Sequence, residues 1–69
     1  MEKQTVLKVP GMHCDHCEAS VRGALTALRG VASVSVDLAT KDVRVSYDAG
    51  AVDEAALRAA IEDVGFDVA

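Results

Sequence analysis

Apolar residues along this chain recur first with a period of two, then with a helical period, and the changes divide it into six short elements. Thr5, Leu7 and Val9 fall on one side of an alternating run with Lys8 on the other, which predicts a strand over Lys3 to Val9. Pro10 and Gly11 break it, and a loop carries Met12 to Cys14. Cys17, Val21, Ala24, Leu25 and Leu28 then form a helical stripe, predicting a helix from about Asp15 to Arg29. Asp15 is placed as its N-cap, Glu18 three residues on completes a capping box, and Arg29 followed by Gly30 supplies the stop.

Two alternating runs follow. Val34, Val36 and Leu38 interleave with Ser33, Ser35 and Asp37, and Val43, Val45 and Tyr47 interleave with Asp42, Arg44 and Ser46. The polar turn around Thr40 and Lys41 joins them as a hairpin with one buried face. A second helix is predicted over Asp53 to Val64, capped by Asp53 and stapled by Val52 onto Leu57. Leu57, Ala60, Ile61 and Val64 form its inner stripe, and Gly65 ends it. Phe66 to Ala69 has length only for a short edge strand. The order β-α-β-β-α-β predicts an α/β (α+β) fold, a ferredoxin-like sandwich of a four-stranded antiparallel sheet with two helices on one face.

Sixty-nine residues make one domain, spanning 1–69. Just over half are apolar, and Tyr47 and Phe66 are the only aromatics, so the core must be aliphatic. So short a chain has little room for a pocket of ~300–1,000 Å³, the usual size for an organic substrate, which argues against an enzyme. The net charge is −4 and no Lys/Arg cluster or aromatic platform occurs, which excludes nucleic acid as a partner. No apolar run reaches the length of a membrane span. Met1 leads directly into a charged segment rather than a signal-peptide core, so the chain is expected to stay in the cytoplasm without membrane insertion. That compartment disfavours a structural disulfide between Cys14 and Cys17, and the loop between them is too short to staple much of the fold.

The sharp chemistry lies in Met12-His13-Cys14-Asp15-His16-Cys17. Thiols at i and i+3 converge when they straddle a loop and the first turn of a helix, and with Asp15 as N-cap Cys17 sits at the second helical position. Backbone N–H groups at that end favour thiolate, the form that binds metal. Structural zinc wants four ligands, and a tetrahedral cage from Cys14, Cys17, His13 and His16 within five consecutive positions is awkward. Two soft thiolates alone suit Cu(I). Met12 is read first as core filler that fixes the loop, and second as a thioether ligand. His13 and His16 are read as solvated, with ligation or tuning of the thiolates as their functional alternative. A redox Cys-x-x-Cys is a rival, but a thioredoxin-like fold needs a longer chain and a Pro facing the motif from a later segment, whereas Pro10 precedes it.

Gly-Met-His-Cys-Asp-His-Cys at the first strand–helix junction resembles the metal loop of heavy-metal-associated domains. The resemblance extends to Ile-Glu-Asp-Val-Gly-Phe-Asp-Val at Ile61 to Val68, and within the family it is similar to bacterial copper chaperones of the CopZ type. It implies Cu(I) held by Cys14 and Cys17, and delivery by thiolate exchange to the metal-binding domain of a copper-transporting P-type ATPase. The resemblance leaves open an ATPase-attached domain: bacterial chaperones of this type usually place Tyr where Phe66 stands, near the metal loop, and Phe is more usual in the attached domains. The Met1 start and compact end favour the free form. It also leaves open a Zn(II), Cd(II) or Hg(II) carrier, although zinc-preferring members often put Asp where His13 stands and a mercury scavenger is expected to carry a periplasmic signal. A thiol–disulfide oxidoreductase is the distant alternative. The apo protein is expected to be a monomer, with a copper-bridged dimer as a further state.

Overall fold

The computed structural model describes residues 2–69; Met1, and with it the reading of the chain's start, lies outside them. The elements run β1 (Glu2–Lys8), α1 (Asp15–Thr26), β2 (Val31–Asp37), β3 (Asp42–Asp48) and α2 (Glu54–Asp63). β3 lies between β1 and β2 and is antiparallel to both. The first and second strands are therefore parallel, joined by α1 across the inserted third strand, a split β-α-β unit. Alternation sets the faces as expected. Leu7, Val43, Val45 and Tyr47 turn inward with Val9 and Met12 and meet Val21 and Leu25 of α1 and Leu57 and Ile61 of α2 in one aliphatic core. The other sheet face is wet, exposing Gln4, Ser33, Ser35 and Arg44, with Val6 51% exposed among them. One buried face per sheet is what places both helices on the same side.

The second helix is built as its sequence suggests at the start. Asp53 caps it, its Oδ1 accepting from the Ala56 N–H at 2.9 Å. Val52 and Leu57 both join the core cluster, as a hydrophobic staple requires. At the far end Gly65 adopts φ +99, the Gly65 N–H donates to Glu62 O at 2.9 Å and the Phe66 N–H donates to Ile61 O at 3.3 Å. That paired arrangement is a Schellman motif, and glycine is the residue that enters the left-handed region without strain. Val64 departs from the predicted inner stripe: as the C-cap it is 41% exposed, because the helix has already ended beneath it.

Five other expectations are corrected. The N-cap of α1 is Cys14, not Asp15, and no side chain caps it; Glu18 instead pairs with Arg22 at 2.9 Å, one turn on. The capping box is absent because Asp15 already has helical geometry, so Glu18 lies one position too far into the helix to reach back. The helix also stops at Thr26 rather than Arg29. The Thr26 hydroxyl donates to Arg22 O and Gly23 O, and the chain tightens through a bond from Leu28 N–H to Leu25 O before Gly30, at φ +98, turns it into β2. A Cβ at Gly30 would meet Ala51 Cβ at 2.7 Å, so the turn is closed to larger residues.

The predicted fourth strand does not form a ladder, and the sheet among the described residues has three strands. Phe66 spends its N–H on the Schellman turn, leaving three residues, of which Ala69 donates to Lys8 O at 2.8 Å. The tail runs beside the end of β1 without pairing along it. The predicted first strand is likewise shifted, ending at Lys8 with Val9 just beyond the ladder.

Candidate metal centre

The candidate metal loop begins in the core and ends at the surface. Val9 and Met12 are both fully buried, and the Met12 N–H donates to Val9 O at 3.2 Å, closing a turn over Pro10 and Gly11. Proline with its fixed φ and a side-chain-free glycine are the residues such a turn favours. Val9 N–H donates in turn to Lys41 O at 2.9 Å in the β2–β3 turn. The Phe66 ring packs over Gly11, where a Cβ would sit 3.3 Å from Phe66 Cδ1. Both feet of the loop are thus fixed, and the next residues are lifted into solvent.

His13, Cys14, Asp15 and His16 are exposed, and Cys17 is half-buried against the core at the start of α1. Cys14 has extended backbone, φ −148 and ψ 171, and its carbonyl accepts the first helical bond, from Glu18 N–H at 3.1 Å. Because Cys14 is itself the N-cap, Cys17 occupies the third helical position, not the second. The two sulfurs are 3.2 Å apart, and both thiols are free.

The Cys17 thiol is held below the usual thiol range. The largest cause is hydrogen bonding from the backbone N–H of His13; the Cys14 side chain follows, desolvation opposes it, and the backbone N–H groups of Cys14 and Cys17 add smaller contributions. These amides lie just before and within the first turn of α1, and they stabilise the anion. The sequence points to His13 only through its imidazole; the contribution of its amide is not advertised, since every residue type but proline carries one.

The remaining predicted residues separate cleanly. Met12 is buried in the core cluster, Phe66 is half-buried beside the loop, and the two histidines project from the exposed stretch. Among the described residues no group of three or more His, Cys, Asp or Glu side chains gathers in a way that could hold a metal ion. The arrangement offers two adjacent sulfurs, one favoured as thiolate, on a surface open to a second molecule.

The model of the heavy-metal-associated domain matches residues 6–67, nearly the whole chain. The chain belongs to that family. This heavy-metal-associated domain is 49% identical over 63 residues to the copper chaperone CopZ of Staphylococcus haemolyticus, covering 91% of this chain and 93% of the relative. Its fold superposes on a solved CopZ metallochaperone with a TM-score of 0.95 at 42% identity, covering 97% of this chain and 100% of that one. It also superposes on a copper-binding domain from HMA7, a P-type ATPase, with a TM-score of 0.93 at 35% identity, covering 100% of this chain and 92% of that one. Within this heavy-metal-associated domain the two sulfurs stand at the junction of β1 and α1, on the loop that the buried Met12 anchors.

Proposed function

We propose that this domain is a cytoplasmic copper chaperone that binds Cu(I) between the thiolates of Cys14 and Cys17 and passes it to the metal-binding domain of a copper-transporting P-type ATPase. The observation that carries the reading is the pair of sulfurs 3.2 Å apart on an exposed loop, with backbone N–H groups favouring thiolate at Cys17. Two soft donors satisfy Cu(I), whereas a structural zinc site calls for four. The similarity to copper chaperones supports the same metal.

The geometry also suits loading. At 3.2 Å the two sulfurs are too close for one ion to sit directly between them, so binding would have to part the pair. Cys14 is exposed and lies at the N-cap, outside the helix, while Cys17 is half-buried within α1, so Cys14 is the partner we assign to move. The same freedom serves release: an incoming thiolate attaches before Cys14 leaves, and the ion is never bare. A second copy of the chain could enter the same open side, so Cu(I) can bridge two otherwise monomeric proteins. Carriage of this kind turns over no substrate, in keeping with relatives that are chaperones and not enzymes. Among the described residues no helix is long and apolar enough to cross a membrane.

Phe66 and the likeness to a P-type ATPase domain favour a second reading, in which the same site belongs to a domain tethered to a pump. The metal chemistry is common to both. The test of the site is competition among Cu(I), Zn(II), Cd(II) and Hg(II) for the reduced protein under anaerobic conditions, repeated with Cys14→Ser and Cys17→Ser. Tight Cu(I) binding lost in both variants with the fold retained is the expected result. Preference for Zn(II), or undiminished Cu(I) affinity in Cys17→Ser, defeats the reading.

A further inference from the structure

The metal loop's foundations lie outside the metal motif. Val9 is the pivot: its side chain is fully buried, its carbonyl accepts from Met12 N–H, and its own N–H donates to the carbonyl of Lys41. Lys41 stands in the tight turn between β2 and β3, one position beyond the last ladder pair, Lys8 with Asp42. Its φ of 66 lies in the left-handed region, where glycine or asparagine is the usual choice. The conformation is maintained from both sides. Asp37 Oδ1 accepts from Ala39 N–H at 2.9 Å and Thr40 N–H at 3.3 Å, and Asp37 O accepts from Lys41 N–H at 2.8 Å. Lys8 Nζ donates to Thr40 O at 2.7 Å and pairs with Asp42 Oδ1 at 3.0 Å, clasping the turn to the end of β1.

We infer that the β2–β3 turn is the bracket that positions the metal loop, with Lys41, through its left-handed backbone, as the positioning residue. A turn that merely reversed the chain would need no bond to Val9. Here the left-handed residue supplies the carbonyl that fixes Val9, Val9 fixes Met12, and Cys14 begins two residues later. The sulfurs reach their close approach because the start of their loop cannot drift. The inference rests on the Cu(I) reading for its functional readout but has a structural readout of its own.

The experiment compares Lys41→Val, Lys41→Gly and Ala59→Gly with the wild-type chain. Valine is strongly disfavoured in the left-handed region, glycine is at home there, and Ala59→Gly weakens an exposed stretch of α2 remote from the turn. Amide exchange at Val9 and Met12 in the apo protein reports the bracket, and Cu(I) competition against a chelator reports the site. Lys41→Val is expected to speed exchange at both amides and weaken Cu(I) binding about tenfold, the lower end of what outer-shell partners of a metal contribute. Lys41→Gly leaves both readouts as in the wild type, and Ala59→Gly leaves Cu(I) affinity unchanged despite its lower stability. Wild-type affinity in a folded Lys41→Val protein, or an equal loss in Ala59→Gly, overturns the inference. If the wild-type chain itself fails to hold Cu(I), the carrier reading falls alone, and unchanged exchange at Met12 in Lys41→Val still decides against the bracket.

Discussion

Met12 sits two residues from Cys14 and carries a sulfur of its own, so removing it in two ways separates packing from ligation. Its side chain is fully buried in the core with Val9, Val21 and Leu57 among others. Met12→Ala leaves a cavity there, and such truncations destabilise by about 2–5 kcal/mol. A domain of this length has a total stability of roughly 3–10 kcal/mol, at about 0.05–0.15 kcal/mol per residue. For so small a domain each kcal/mol shifts the melting temperature by about 4–8 °C, so a mid-range loss lowers it by about 20 °C. Met12→Leu keeps the volume and removes only the thioether, a change that usually destabilises by less than about 1.5 kcal/mol. The assays are thermal or urea unfolding of the reduced apo protein and Cu(I) competition with a chelator. Met12→Ala should unfold easily and Met12→Leu should bind Cu(I) like the wild type. A folded Met12→Leu protein with markedly weakened Cu(I) binding would show the thioether to be a ligand and the packing account to be wrong.

The titration of Cys17 follows from its depressed value. Alkylation of Cys17 should remain fast to lower pH than that of a free cysteine, and an unshifted profile would dismiss the role of the His13 amide. The linkage has a definite sign: the stabilising effect of the Cys17 thiolate is complete above the unfolded thiol value and lost as pH falls through the folded one. Apo stability should therefore rise with pH across that interval and become flatter in Cys17→Ser. Gly23 lies in α1 with nothing within 4 Å of an added Cβ, so Gly23→Ala should stabilise the fold by about 0.5–1 kcal/mol, read by urea denaturation. Glu18, next to Cys17, pairs with Arg22 one turn on, both partly exposed; reversing either charge should change the salt dependence of transfer to a partner domain while leaving Cu(I) affinity intact.

What could be read in advance was what residue type alone decides. The period-two runs of β2 and β3, the stripe of Val21 and Leu25, the Asp53 cap and the Gly65 stop all appear where side-chain chemistry puts them. The errors arose where backbone geometry chose among equivalent options. Asp15 is a better capping residue than Cys14 by chemistry, yet the turn fixed by Val9 and Met12 delivers an extended backbone at Cys14 and a helical one at Asp15. The fourth strand failed because the Phe66 N–H had a nearer partner in Ile61 O. Left-handed Lys41 gives no composition signal, since neither glycine nor asparagine marks it. Of the candidate site, the convergence of the two thiols and the burial of Met12 were legible, while the amide of His13 and the carbonyl of Lys41 belong to the main chain and were not.

Rapid transfer is the behaviour that distinguishes a carrier from a buffer. A two-thiolate site at an exposed loop has room for a third thiolate, so Cu(I) should move by small exchange steps without entering water. Stopped-flow mixing of the Cu(I)-loaded protein with the metal-binding domain of a copper-pump ATPase, set against spontaneous loss to a chelator that cannot dock, measures this directly. Transfer to the domain should be far faster than loss to the chelator, and reversing the charge of Glu18 or Arg22 should alter only the former. Equal rates would mean that copper passes through solution and that the protein stores copper without delivering it.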